Sequence, residues 1–353
     1  MENKALNDLL DTLEREGVVL DSAKIEAEAS SDAALFSNLA VKILSIFGGL
    51  VGSLFLVLFF LLVGLYESTS GLITLGLILF AAGIIISRKD KSVFLDTLNI
   101  CMWLTGIGML GFGLAEIIED ESIALAMIVL GTITFFLSEK FLLRFLSVIL
   151  ICTSMAVFML ENDWYNWIHL IIVGTVLKMT YLHLYEADLI SRNKFFNTIY
   201  SPLRLALIFS LIGLLFLVGK GGRMNGLAFE HLWISSIMII GATLFSIYKI
   251  MDRIGVEKNN KILAMALATV IFIPSIYSPF ISGAIFILIL NYHIGYRTGI
   301  VIGVIALIYA VSQYYYDLNL TLLHKSGVLV LSGLLFLLAY YFFHNKITSH
   351  GQD

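Results

Sequence analysis

Charge is scarce in this sequence. Asp, Glu, Lys and Arg make up 14% of the 353 residues, where a soluble domain carries about 25%. With 59% of its residues hydrophobic, a soluble fold of this length could not cover its own apolar surface, so lipid is the solvent that suits the composition. Cysteine is nearly missing. Cys101 and Cys152 both fall inside apolar runs, without CxxC spacing or a neighbouring His, which argues for packing and against a metal or redox site. A signal peptide is missing too: residues 1–40 are acidic and polar, with no basic leader and no apolar core, so the first apolar run is expected to direct insertion itself. No catalytic, cofactor or metal motif stands out. Gly219, Gly221 and Gly222 surround Lys220, but the strand and helix that a phosphate loop requires are not there.

What the sequence does contain is a rhythm. From Val41 to Phe343, apolar runs of about 16–26 residues alternate with short polar breaks. Each run is close to the length a helix needs to cross about 30 Å of hydrocarbon. The pattern predicts an all-α polytopic transmembrane bundle of about twelve spans. They are Val41–Tyr66, Gly71–Ile86, Val93–Ile118, Ile123–Leu137, Phe141–Leu160, Tyr165–Tyr185, Pro202–Val218, His231–Met251, Lys261–Ile276, Phe280–Ile294, Thr298–Tyr315 and Gly327–Phe343. The fourth and tenth are short and leave the count open by about two. Residues 1–40 form a soluble module, 41–343 the membrane domain and 344–353 a tail.

Lys and Arg gather at every second break. With the N-terminus in the cytosol, the inner side receives Arg88, Lys89, Lys91, Lys140, Arg144, Arg192, Lys194, Arg204, Lys249, Arg253, Lys258, Lys261, Arg297 and Lys346. The outer side receives only Lys220, Arg223 and Lys325. The positive-inside rule then places both termini in the cytosol. The N-terminal module has leucines at 6, 9, 10 and 13, the spacing of an amphipathic helix that stops at Gly17, and a second short helix over residues 22–29. Its net charge is −6 against −4 for the whole chain. Anionic lipid would repel it, so its leucine stripe suits a protein contact better than a lipid contact.

Few polar groups sit deep in the spans, and each has a bland reading. Lys178 lies about 20 Å along the sixth span at 1.5 Å per residue. Ionisable groups at depth mark functional sites by default, yet a lysine near a helix end can snorkel to the interface. Asp96 and Asn99 enter the third span from the same side and could pair with Lys178. Glu161, Asp163, His169, Glu230, His231, Asp317 and His324 collect on the outer face, but their spacing matches no metal-ligand motif, and solvated loop ends explain them. Asn291 and His293 near the end of the tenth span suit hydrogen bonds between helices. The glycines at 106, 108, 111 and 113 suit close helix packing. Thr198–Pro202 and Ser275–Pro279 share the order Ile-Tyr-Ser-Pro. An inverted repeat would produce that, but so would an ordinary cap followed by a first-turn proline.

The most distinctive string is YYYDLNLTLLHKSGVLVLSGLLFL, starting at Tyr314. Physically it is an aromatic belt, a short connection and a helix start. The string resembles the C-terminal signature of the bacterial membrane family called domain of unknown function 4401, carried here by Tyr315, Leu318, Thr321, Leu322, Lys325 and Ser326. The resemblance extends more loosely over nearly all spans. It implies a multi-spanning Gram-negative inner-membrane protein, often encoded near a membrane-anchored protein of the GDYXXLXY type. It carries no catalytic residue to this chain. The string thus reads either as belt and cap or as a surface for a partner.

Three function classes follow. The leading expectation is an inner-membrane protein that moves a small solute. The rival is an envelope scaffold or sensor that anchors a membrane-bound partner. An intramembrane enzyme acting on lipid-linked glycans ranks last, because the outer face offers few basic groups. The bilayer is the expected partner; no nucleic acid, cofactor or metal is expected.

Overall fold

In the computed structural model, residues 43–60, 62–88, 93–192, 194–224 and 229–317 are described, with isolated positions between 327 and 337. Among the described residues every regular element is helical. Twelve α-helices follow in order. They are α1 (Ile43–Phe60), α2 (Thr69–Ser87), α3 (Val93–Ala115), α4 (Asp120–Leu137), α5 (Phe141–Glu161) and α6 (Ile168–Leu184). After them come α7 (Glu186–Arg192), α8 (Lys194–Met224), α9 (Leu232–Ile254), α10 (Lys258–Phe272), α11 (Pro279–His293) and α12 (Arg297–Asp317). Among the described residues ten helices are long and apolar enough to cross a membrane, and α11 is a shorter apolar helix of 15 residues. Large apolar side chains stay exposed along them, among them Leu44, Phe55, Phe112 and Ile305, as a lipid-facing surface requires. The protein is a polytopic helical membrane protein. The N-terminal module and most of the twelfth expected span lie outside the described residues.

The helix ends follow local chemistry. Ser68 caps α2, its hydroxyl accepting from the Gly71 N–H at 3.2 Å. Gly255 ends α9 with φ 75°, its N–H donating to the Asp252 carbonyl while Val256 N–H reaches back to Met251; that pairing satisfies the last free carbonyls of the helix. The fourth span is longer than its hydropathy suggests. Helix α4 starts at Asp120 and has 18 residues, because Asp120 and Glu121 sit favourably in a helix's first turn although neither is apolar.

The two Ile-Tyr-Ser-Pro strings behave differently. In the second, Ile273–Tyr277 forms a short 3₁₀ turn, and Pro279 opens α11 after Ser278, as expected of a first-turn proline. In the first, Pro202 lies inside the 31-residue α8 rather than at its start. Ile199 and Tyr200, each 4% exposed, hold the turn before Pro202 in helical form by burying there.

The chain divides into two compact units, Met1–Ser147 and Val148–Asp353, with the division inside α5. In the first unit α2 packs along α3 at very short range. A Cβ placed at Gly106 would stand 2.5 Å from the backbone nitrogen of Phe80, and one at Gly113 2.7 Å from the Ile73 side chain. Gly76 and Gly83 face α3 in the same way. Gly108 meets nothing within 4 Å and Gly111 only the tip of Met127. Two of the four glycines noted in this span therefore make the helix contact. Trp103, 2% exposed, ties α3 to α4 through an indole N–H donating to Thr134 Oγ1 at 2.9 Å.

In the second unit α11 is the hub. It packs on α6, α8, α9 and α12, and Phe286, Ile287, Leu290 and Asn291 are all 0% exposed. Glycines again permit the approach: a Cβ at Gly283 would collide with Leu215 of α8, and one at Gly299 of α12 with the Asn291 side chain.

Candidate functional site

In the first unit the site begins at the turn between α4 and α5. The Leu137 carbonyl, one of the free acceptors at the end of α4, takes two hydrogen bonds from the Arg88 guanidinium, both 3.2 Å. The Ser138 carbonyl accepts from Nε of the buried Arg144 at 2.7 Å, and the Ser138 hydroxyl accepts from the Lys140 N–H at 3.2 Å. These contacts fix the turn, and the turn aims Lys140 at the first turn of α3. There Lys140 Nζ stands 3.0 Å from Asp96 Oδ1. Beside the pair is a cavity of about 60 Å³, lined by Asp96, Asn99, Ile100, Lys140, Phe141, Leu142 and Leu143. Asn99 is 1% exposed, and neither its side-chain oxygen nor its nitrogen has a hydrogen-bond partner.

In the second unit the polar groups lie between α6, α8 and α11. His183, 2% exposed, donates from Nδ1 to the Met179 carbonyl at 2.8 Å. Its Nε2 lies 3.3 Å from Asn291 Oδ1. The Asn291 amide nitrogen is already committed to the Ile287 carbonyl at 2.7 Å. Both ring nitrogens thus face acceptor oxygens, a geometry that a singly protonated imidazole satisfies on one side only. Nearly three turns into α8, the Arg204 guanidinium lies 3.6 Å from the ring centre of Tyr296 and 5.0 Å from that of Tyr200. It also pairs with Glu186 at 3.2 Å. A planar cation between aromatic faces suits Arg far better than Lys.

The sequence-based candidates fall out as follows. Asp96 and Asn99 share one pocket, and the lysine beside Asp96 is Lys140. Lys178 belongs to the second unit, exposed on α6. Tyr315 is half-buried at the end of α12, its ring against Tyr316, while Leu318, Thr321, Leu322, Lys325 and Ser326 lie outside the described residues. Among the described residues no three His, Cys, Asp or Glu side chains gather to hold a metal. His169 is engaged on both sides: Nε2 donates to the Glu230 carbonyl at 2.9 Å, and Nδ1 accepts from the Ser235 hydroxyl at 2.7 Å. It works as a clip between α6 and the start of α9. Asn291 makes an interhelical contact as expected, and His293 accepts from Arg253 of α9 at 3.3 Å. Nothing in the sequence marks His183 as Asn291's partner: it is a histidine one turn beyond Met179 in a span that also holds His169 and Lys178.

Comparison with known families gives one result that covers most of the chain. The model of the family described as "Domain of unknown function (DUF4401)" matches residues 38–346. The chain belongs to this family. The match spans both compact units, so the pocket beside Asn99 and the His183–Asn291 contact both lie in DUF4401 sequence. No curated protein and no solved structure matches the chain.

Proposed function

We propose that this DUF4401 protein is a small-solute transporter of the bacterial inner membrane, with both termini in the cytosol. The observation that carries the reading is the His183–Asn291 contact. Polar groups cost most where no water reaches them, and in membrane proteins they face pathways for solutes or ions. Here a buried imidazole in the last turn of α6 meets a buried amide on α11, a 15-residue helix that follows a 3₁₀ break. Short helices interrupted in this way are a recurrent way of placing binding groups inside a bilayer. With Nδ1 carrying the proton, Nε2 and Asn291 Oδ1 are two acceptors facing each other, each short of a donor that a solute could supply. The positive-inside distribution of Lys and Arg supports the orientation.

The rival reading, a scaffold for a membrane-anchored partner, draws on the acidic, leucine-striped residues 1–40. A cell-based experiment separates the two. Cells lacking the protein are complemented with the wild type, with His183→Leu or with a chain lacking residues 1–30, and their small-molecule pools are compared at matched abundance. Transport requires that His183→Leu fail to restore a pool that the truncated chain restores. The opposite pattern would favour the scaffold and remove the transport reading.

A further inference from the structure

We propose that the pocket beside Asn99 binds a small uncharged polar molecule that presents a hydrogen-bond donor and acceptor side by side, as a primary amide does. The inference does not depend on the transport reading, since the pocket lies wholly in the first unit. It begins with an imbalance. A side-chain amide offers two N–H donors and a carbonyl acceptor. In Asn99 none of these has a partner, although the residue is 1% exposed. Buried polar groups are nearly always paired, and an exception calls for a partner outside the chain.

The walls define that partner. Asp96 and Lys140 already neutralise each other at 3.0 Å. An anion entering the pocket would meet the Asp96 carboxylate and a cation would meet the Lys140 ammonium, so a neutral occupant is favoured over either. The remaining walls, Ile100, Phe141, Leu142 and Leu143, are apolar. The volume of about 60 Å³ exceeds what a single water needs, about 10–15 Å³ on this measure. Water could answer the amide but would leave the apolar side wetted. A molecule with one amide-like face and one or two carbons answers both. The amide of Asn99 would form two antiparallel hydrogen bonds with it, and its hydrocarbon part would lie against Leu142 and Leu143.

The test is ligand-observed saturation-transfer NMR on the full chain in lipid nanodiscs, with acetamide as probe and acetate as its charged counterpart. A saturable acetamide signal that acetate neither reproduces nor competes away is expected, at least tenfold weaker in Asn99→Leu. Asn99→Gln, which keeps the amide, should retain a saturable signal and guards against a Leu variant that misfolds. The proposal is overturned if acetamide fails to saturate the wild type, which would leave water as the occupant. It is equally overturned if Asn99→Leu, still folded by its near-UV spectrum, binds as the wild type does, or if acetate binds as well as acetamide.

Discussion

Gly106→Ala is the sharpest perturbation of the packing described here. A methyl at this position would stand 2.5 Å from Phe80 N, 2.9 Å from the Gly76 carbonyl oxygen and 2.9 Å from Phe80 Cα. All three are backbone atoms of α2, so no side chain can rotate away. Restoring an ordinary contact near 3.4 Å requires the helices to part by about 0.9 Å at the crossing. Overpacking of this kind costs about 1–3 kcal/mol, and a collision with backbone belongs in the upper part of that range. Alanine's better helix propensity returns up to about 1 kcal/mol. The net expected loss is about 1–2 kcal/mol. Gly108→Ala is the matched control, because nothing lies within 4 Å of its Cβ; it should be neutral or slightly stabilising. Reversible denaturant unfolding in mixed micelles, followed by far-UV circular dichroism, would measure both. Equal stabilities for the two variants would refute the claim that α2 and α3 touch backbone to backbone.

Other consequences are open to similar checks. Trp103→Phe removes the indole donor to Thr134 and should cost about 1 kcal/mol in the same unfolding experiment; Thr134→Val combined with it should add little, because the bond is then already gone. Arg204→Lys should destabilise the second unit although it keeps the charge, since an ammonium cannot lie flat between Tyr200 and Tyr296; thermal stability equal to the wild type would show the stack to be idle. Lys178→Met should be close to wild type in any pool-restoring assay if its exposed position reflects snorkelling, and loss of function at normal abundance would return it to the candidate site. Reporter fusions after Ser70, Asp120 and Asn162 should report outside and a fusion at Asn193 inside; an inverted pattern would overturn the assigned orientation.

Much of the fold was legible because hydrocarbon imposes a length. The apolar runs gave helices α1 to α6 and α9 to α12 within a few residues, since composition alone decides whether a stretch can sit in lipid. Legibility failed where helices extend into polar sequence. Asp120 and Glu121 start α4 through dipole and capping effects that hydropathy does not register. The first turns of α8 form because Ile199 and Tyr200 find a buried surface, which is a tertiary fact. The candidate sites were half legible. Asp96 and Asn99 stand out as polar residues entering an apolar run, and Asn291 does the same. Their partners do not. Lys140 reads as an ordinary loop cation until the Arg88 and Arg144 contacts fix the turn that carries it. His183 lies 108 residues from Asn291, and nothing local in the sequence links the two. Of the glycines in α3, spacing alone could not tell which face meets α2.

Uptake by the purified protein in sealed liposomes tests transport most directly. A panel of labelled small polar solutes would be offered to liposomes holding wild type, Asn291→Leu or no protein. The account requires at least one solute to accumulate saturably above the empty liposomes and that accumulation to be lost in Asn291→Leu at equal incorporation. Wild-type liposomes indistinguishable from empty ones across the panel, while residues 1–40 retain a protein partner, would contradict it.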